Sequence, residues 1–216
     1  QTLIDSKVAN LRKLVKCGDL PLAKIIENTV TTEAVASFVD QLMDIDGSPS
    51  DDYEELTQVP VGVIDVGGKT TDCAVLLPGM MVDSSRSGSN DVGVLMLVEA
   101  VSAKLRAHLD LDTALPTSAI ERALRTGSVK IYGKEQSVKE IVDEEKERLA
   151  DQIMSAVRTK VGSGVDLDHV LFVGGGAIVL RDQLLKHYPH ARVPDQPEFA
   201  NARGMLKFAK HVVGGA

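Results

Sequence analysis

Apolar residues return every three or four positions over long parts of this chain and crowd into short unbroken runs elsewhere. Helices and buried strands therefore alternate along it. Ile4, Val8, Leu11 and Val15 keep helical spacing, Cys17-Gly18-Asp19 supplies a stop, and Ala23 to Ile26 suits a short strand. Thr31 or Thr32 can cap the next helix, with Glu33 in its first turn and Val35, Phe38, Val39 and Leu42 on its buried side. The polar, acidic stretch from Asp46 to Gln58 reads as a surface loop. Two β-branched runs, Val61 to Ile64 and Cys73 to Leu77, flank a glycine turn and predict a hairpin. After Pro78-Gly79, Met80 to Asp83 can form a third strand, and Ser84 to Asp91 reads as a polar loop.

The second half keeps the pattern. Val94, Leu97, Val98, Val101, Leu105 and Leu109 share one helix side, and Pro116 opens a helix that stops near Thr126-Gly127. Ser128 to Ser137 reads as a small hairpin. From Val138 a long helix is expected, with Ile141, Val142, Leu149, Ile153, Val157 and Val161 inward and Gly162-Ser163-Gly164 at its end. Asp168 to Val173 is a buried strand that turns, at three glycines, into a helix of Ile178 to Lys186. A short strand at Ala191 to Val193 and a helix from Pro197-Glu198 close the chain. The fold class is α/β.

Chemistry concentrates in VGVIDVGGKTTDCAVLL, Val61 to Leu77. The first strand delivers Asp65 to the turn Gly67, Gly68, Lys69, Thr70 and Thr71, and Asp72 follows. Gly67 and Gly68 can take positive φ and lack Cβ, so backbone N–H groups can approach an anion. Two threonine hydroxyls add donors, and Asp65 can hold a cation or water beside that anion. Gly68-Lys69-Thr70 is not the tail of a P-loop, because the earlier glycine falls on Val63 and a strand follows the turn. A GxGxxG reading from Gly174 fails at Val179. Taken alone, 61–77 is equally an ordinary hairpin with a glycine-rich turn.

A second cluster, Gly174, Gly175, Gly176 and Ala177, follows the strand Val170 to Val173. Together, the D-x-G-G-x-T-T-D hairpin and this VGGGA resemble the actin/Hsp70/sugar-kinase ATPase superfamily. Within it, the chain from about residue 23 onward looks most like the plasmid-segregation actins of the ParM/StbA type. The resemblance implies an actin-like (ribonuclease H-like) fold in which Gly67 to Thr71 hold phosphate, Gly174 to Ala177 hold the adenosine, and Asp65 organises Mg²⁺ and water. It also implies that Glu33 helps orient the attacking water, although here threonine stands where the family has proline. On its own residues, Glu33 is a first-turn glutamate favoured by the helix dipole. Glu144 and Arg148 of the long charged helix match a helix that serves ribose and adenine in relatives, and they equally suit a solvated face with an i,i+4 ion pair. Asn90-Asp91-Val92-Gly93 resembles the family's Gly-containing loop before a helix and equally a plain helix cap. Asn201-Ala202-Arg203-Gly204-Met205 resembles an N-x-x-G-M stretch beside the adenine, where Gly204 permits close helix packing.

The 216 residues allow one large domain or two small ones, and 44% hydrophobic with 25% charged residues excludes disorder and fibres. A net charge of −7 argues against direct sequence-specific DNA binding. Two cysteines, Cys17 and Cys73, offer no disulfide framework or metal spacing, and five histidines share no triad or ligand spacing. No apolar run reaches membrane-span length, and the chain reads as soluble and cytoplasmic. The family's first hairpin has no counterpart. Hence 1–45 is expected to be a remnant of the first actin-like domain, 59–83 and 149–216 the nucleotide-binding core of the second, and 84–148 a smaller inserted α+β lobe. The implied function is that of an actin-like ATPase using ATP and Mg²⁺, forming filaments that segregate plasmid DNA through a DNA-binding adaptor. Alternatives are a non-filament chaperone, cell-division or pilus homologue, or an inactive nucleotide-binding scaffold.

Overall fold

The computed structural model describes residues 5–6, 9–10, 16–17, 20–21 and 30–213. The chain divides into two units, Gln1–Thr32 and Glu33–Ala216. In the first, residues 5–6 and 9–10 are helical, and β1 (Lys16–Cys17) pairs antiparallel with β2 (Leu20–Pro21). Cys17, the first residue of the predicted stop, is thus in a strand. The strand expected at Ala23 to Ile26 lies outside the described residues.

The second unit is a five-stranded sheet between two helical layers. Its strands are β3 (Val61–Val66), β4 (Thr71–Leu77), β5 (Met81–Asn90), β8 (His169–Val173) and β9 (Ala191–Arg192), in the order β5-β4-β3-β8-β9. β3 pairs antiparallel with β4 and parallel with β8, and β8 pairs parallel with β9. A mixed α/β fold results, as the pattern of runs predicts. All six residues of β3 are buried, which is why its sequence is continuously apolar instead of alternating.

Parity along these strands assigns side chains to the two faces. Ile64, Val66, Cys73, Val75, Val170 and Phe172 enter the larger core. Over it lie α3 (Leu95–His108), α4 (Thr117–Thr126), α5 (Lys139–Val161), α6 (Gly175–Val179) and α7 (Arg181–Leu184). The hairpin of β6 (Ser128–Ile131) and β7 (Lys134–Ser137) joins the same core through Val129 and Ile131. Val61, Val63, Leu76, Leu171 and Val173 face a smaller core with Phe38, Leu42, Leu56 and Ala200. Those four come from α1 (Glu33–Leu42), α2 (Tyr53–Gln58) and α8 (Ala200–Lys207).

Four expectations need correction. The loop predicted over 46–58 contains α2, whose Leu56 is buried in the smaller core. The polar segment 84–91 is not a loop but the greater part of β5. β4 offers an unpaired edge that templates it, its polar side chains stay largely in solvent, and a bulge between Cys73 and Val75 absorbs a register shift. Arg86 then reaches across to Asp166 and the carbonyl of Val161. The helix predicted over 178–186 is two short helices, α6 and α7, that meet at Leu180, and α6 already begins within the glycine cluster. Finally, Gly67 and Gly68 do not take positive φ. Gly67 instead gives room to the turn, since a Cβ there would stand 3.0 Å from the carbonyl of Thr70.

Candidate functional site

β3 and β8 run parallel and side by side, so their C-terminal ends open at one place. In open parallel sheets that is where ligands gather. The end of β3 carries Asp65 and the turn from Gly67, and the end of β8 carries Gly174 to Ala177. In the hairpin register Asp65 stands directly opposite Asp72. Like charges placed across a ladder repel, so the fold carries an electrostatic cost here.

Asp65 has the parity of Val61 and Val63, which faces it toward the layer of α1 and α8. It is 7% exposed. Burial raises its carboxyl above the ordinary carboxylate range, a hydrogen bond from Asn201 works against that, and Asp72 adds to it. Glu33, exposed at the start of α1, is also raised, first by desolvation and then by the charges of Asp65 and Asp72. Three carboxylates thus share one field. Among the described residues no group of three His, Cys, Asp or Glu side chains converges into a metal cage. A hard divalent cation that keeps several waters and is held by one or two carboxylates fits this donor set.

The glycine turn is fixed from outside. Gly67 N–H donates to the Thr70 carbonyl at 2.9 Å, while Val94 and Leu95 N–H donate to the carbonyls of Gly67 and Gly68 at 3.0 and 2.9 Å. A Cβ on Gly93 would lie 2.4 Å from the Gly68 oxygen, so this approach requires glycine at position 93. Thr71, fully buried, donates its hydroxyl to the Val92 carbonyl at 2.8 Å, and Thr70 donates to Asp72 at 3.0 Å. The loop Asn90 to Gly93 is therefore a dock for the hairpin as well as the approach to α3. Gly68 and Lys69 remain exposed at its tip.

The second cluster uses its missing side chains chiefly for close packing. Gly174 is left-handed (φ 83), and a Cβ on it would stand 2.2 Å from Asp65 Oδ1. On Gly176 it would meet Val66. Both are turned onto β3, and only Gly175 of the three faces open space. Ala177 is buried in the larger core.

Glu144 and Arg148 are not brought together. Glu144 projects into solvent, 69% exposed, and pairs with Lys104 at 2.9 Å. Arg148 pairs instead with Glu145, one turn earlier. Glu145 is 1% exposed and also pairs with Lys104 of α3 at 2.7 Å. Burial pushes its carboxyl up, but the lysine and arginine more than offset this and leave it below the usual range. Glu145 and Arg148 line a small cavity of about 60 Å³ between α3 and α5, with Met96, Leu97, Ala100, Leu149 and Gln152. Sequence reasoning passed over Glu145, although its spacing from buried Val142 and Leu149 places it on the inner face of α5.

On the other side, Gly204 of α8 lies against α1 so closely that a Cβ would fall 1.7 Å from the Ala36 carbonyl. The two helices are further joined by Asp40, which receives Arg203 Nε and Nη2 at 3.0 and 2.7 Å and Lys207 Nζ at 2.7 Å. Asn201, one turn before Gly204, donates to Asp65 at 2.6 Å.

An open mixed sheet with two glycine turns, and with Asp65 and Asp72 paired across the hairpin at the end of β3, matches the actin-like fold that the sequence resembles. Residues 63–186, more than half of the chain, match the family model described as archaeal actin homologue MreB-like, C-terminal, and the chain belongs to that family. Three solved structures are similar. A non-polymerisable quadruple mutant of pCBH ParM aligns with TM-score 0.77 at 21% identity, over 96% of this chain and 64% of its own. A ParM from a 15-stranded filament of Clostridium botulinum gives TM-score 0.74 at 19% identity, over 97% of this chain and 64% of its own. An archaeal actin homologue in complex with ADP gives TM-score 0.62 at 26% identity, over 71% of this chain and 50% of its own. The chain thus spans between half and two thirds of the length of these proteins. No curated protein sequence matches it. Among the described residues no helix is long and apolar enough to cross a membrane.

Proposed function

We propose that this chain supplies the nucleotide-gripping part of an actin-like ATPase that assembles into filaments. The observation that carries the reading is the meeting of Asp65, Asp72 and Glu33 at the ends of two parallel strands, each beside a glycine turn. Acids gathered where phosphate can enter call for a cation, and burial without one leaves Asp65 and Glu33 reluctant to ionise. Mg²⁺ bound with ATP would supply charge neutralisation of the phosphates. Asp65 is the side chain that would hold it. Gly67, Gly68, Lys69 and Thr70 receive phosphate, whereas Thr71, buried with its hydroxyl on the Val92 carbonyl, braces the turn instead of meeting a ligand. The turn Gly174 to Ala177 receives the adenosine through the open side of Gly175, and Arg148 serves the ribose side. Glu33 orients the attacking water, and its raised carboxyl suits a group that handles a proton.

The ADP complex of the archaeal homologue supports a nucleotide at this fold, and the ParM filament supports self-association. With a net charge of −7, contact with plasmid DNA goes through a DNA-binding adaptor instead of this surface. A domain division is part of the same proposal, with 59–90 and 149–216 as core because 84–90 lies in β5 of the sheet, 91–148 as a smaller lobe, and the residues before Glu33 assigned to the first domain.

The test is calorimetry with Mg-ATP and Mg-ADP, together with phosphate release, on the polypeptide that carries this chain. Asp65→Ala is expected to leave the fold intact and lower turnover at least about 10²-fold. A folded Asp65→Ala variant with near-normal turnover refutes the assignment.

A further inference from the structure

Asp65 is almost fully buried at the end of β3. Among the described residues its side chain accepts a hydrogen bond from Asn201 Nδ2, 2.6 Å from Oδ2. The orientation of that amide is set from behind, because the hydroxyl of Ser37 donates to Asn201 Oδ1. Ser37 is fully buried, and it lies one helical turn after Glu33, on the same face of α1. Behind the other oxygen of Asp65, Gly174 leaves no room for a side chain.

We propose that Asn201 is a positioning residue. Through the relay from Ser37 to Asn201 to Asp65 it fixes the orientation of the Asp65 carboxylate and ties it to the helix that presents Glu33. This rests on the reading of Asp65 as the cation-holding acid. Three elements distant in sequence meet in the relay: Ser37 on α1, Asn201 on α8 and Asp65 on β3. A shift of α1 along α8 would therefore change the donor that Asp65 receives. An ion-dipole contact from a preset amide costs little reorganisation when charge is needed.

The test uses Asn201→Ala and Ser37→Ala, with the Mg²⁺ affinity of the ATP complex followed by calorimetry and turnover resolved into kcat and KM. In Asn201→Ala the Mg²⁺ affinity falls about tenfold and kcat falls about tenfold, with KM for ATP little changed. Ser37→Ala, which keeps the Nδ2 donor but frees the amide to flip, gives smaller changes in the same sense. An unchanged Mg²⁺ affinity in a folded Asn201→Ala variant overturns the proposal, as does turnover that survives Asn201→Ala while Asp65→Ala abolishes it. Turnover that survives both substitutions removes the catalytic reading of Asp65 and takes the relay with it.

Discussion

Replacing Asp40 by alanine removes the counterion of two cations at once. Its side chain is 2% exposed and that of Lys207 is 8%, so neither charge of that pair can turn to water. Arg203 is 30% exposed and keeps the carbonyls of Gln196 and Asp195 at 3.1 and 3.0 Å. Lys207 keeps the backbone carbonyl of residue 40 at 2.9 Å. Stranding a buried charge costs about 3–5 kcal/mol, and the surviving carbonyl contacts place Asp40→Ala near the lower end, about 3 kcal/mol. With a urea slope of about 2 kcal/mol per molar, the unfolding midpoint should fall by about 1.5 M at unchanged slope. Adding Lys207→Met removes the stranded ammonium and should restore part of the loss. Glu144→Ala, which breaks an exposed pair, is the control and should cost less than about 0.5 kcal/mol. If Asp40→Ala costs less than about 1 kcal/mol, the ion cluster does not join α1 to α8 and the reasoning fails.

The same joint predicts that Gly204→Ala costs about 3 kcal/mol or more, because the obstacle is the backbone oxygen of Ala36 and cannot rotate away; an unchanged melting temperature would contradict this. Burial raises Asp65 above its ordinary value of 3.8, so its contribution to stability is complete below that pH and is lost as pH rises through the folded value. Asp65→Asn should therefore melt higher than the parent at pH 7, by about 1 kcal/mol, with the advantage vanishing in acid; equal melting at both pH values would show that the raised carboxyl is not felt. Glu33→Ala should bind nucleotide normally, hydrolyse it slowly and lose only a few tenths of a kcal/mol. Normal hydrolysis in that variant would return Glu33 to a helix-dipole residue.

Much of the site was legible because its geometry is local. Asp72 follows Asp65 by seven positions, and a tight glycine turn between two buried runs sets them opposite each other. Strand parity then places Asp65 on the face of Val61 and Val63. Helices with strong periodicity, α3, α4 and α5, fall where the apolar spacing puts them. Segment 84–91 was not legible, since its own residues carry no strand signal and the free edge of β4 decides its conformation. Glu145 was legible from its spacing to Val142 and Leu149, but its pairing with Lys104 of α3 was not, because that partner lies on another helix.

The sequence by itself thus determined the strongly periodic helices, the two buried strands of the hairpin and the two glycine turns, because each depends on residues a few positions apart. Tertiary structure decided that α8 lies on α1 and that both lie over the end of β3. Asn201 lies 136 residues from Asp65 and 164 from Ser37, and Arg203 lies 163 from Asp40. No periodicity spans such separations. Those partners are chosen by strand order and by one glycine, Gly204, that lets two backbones touch.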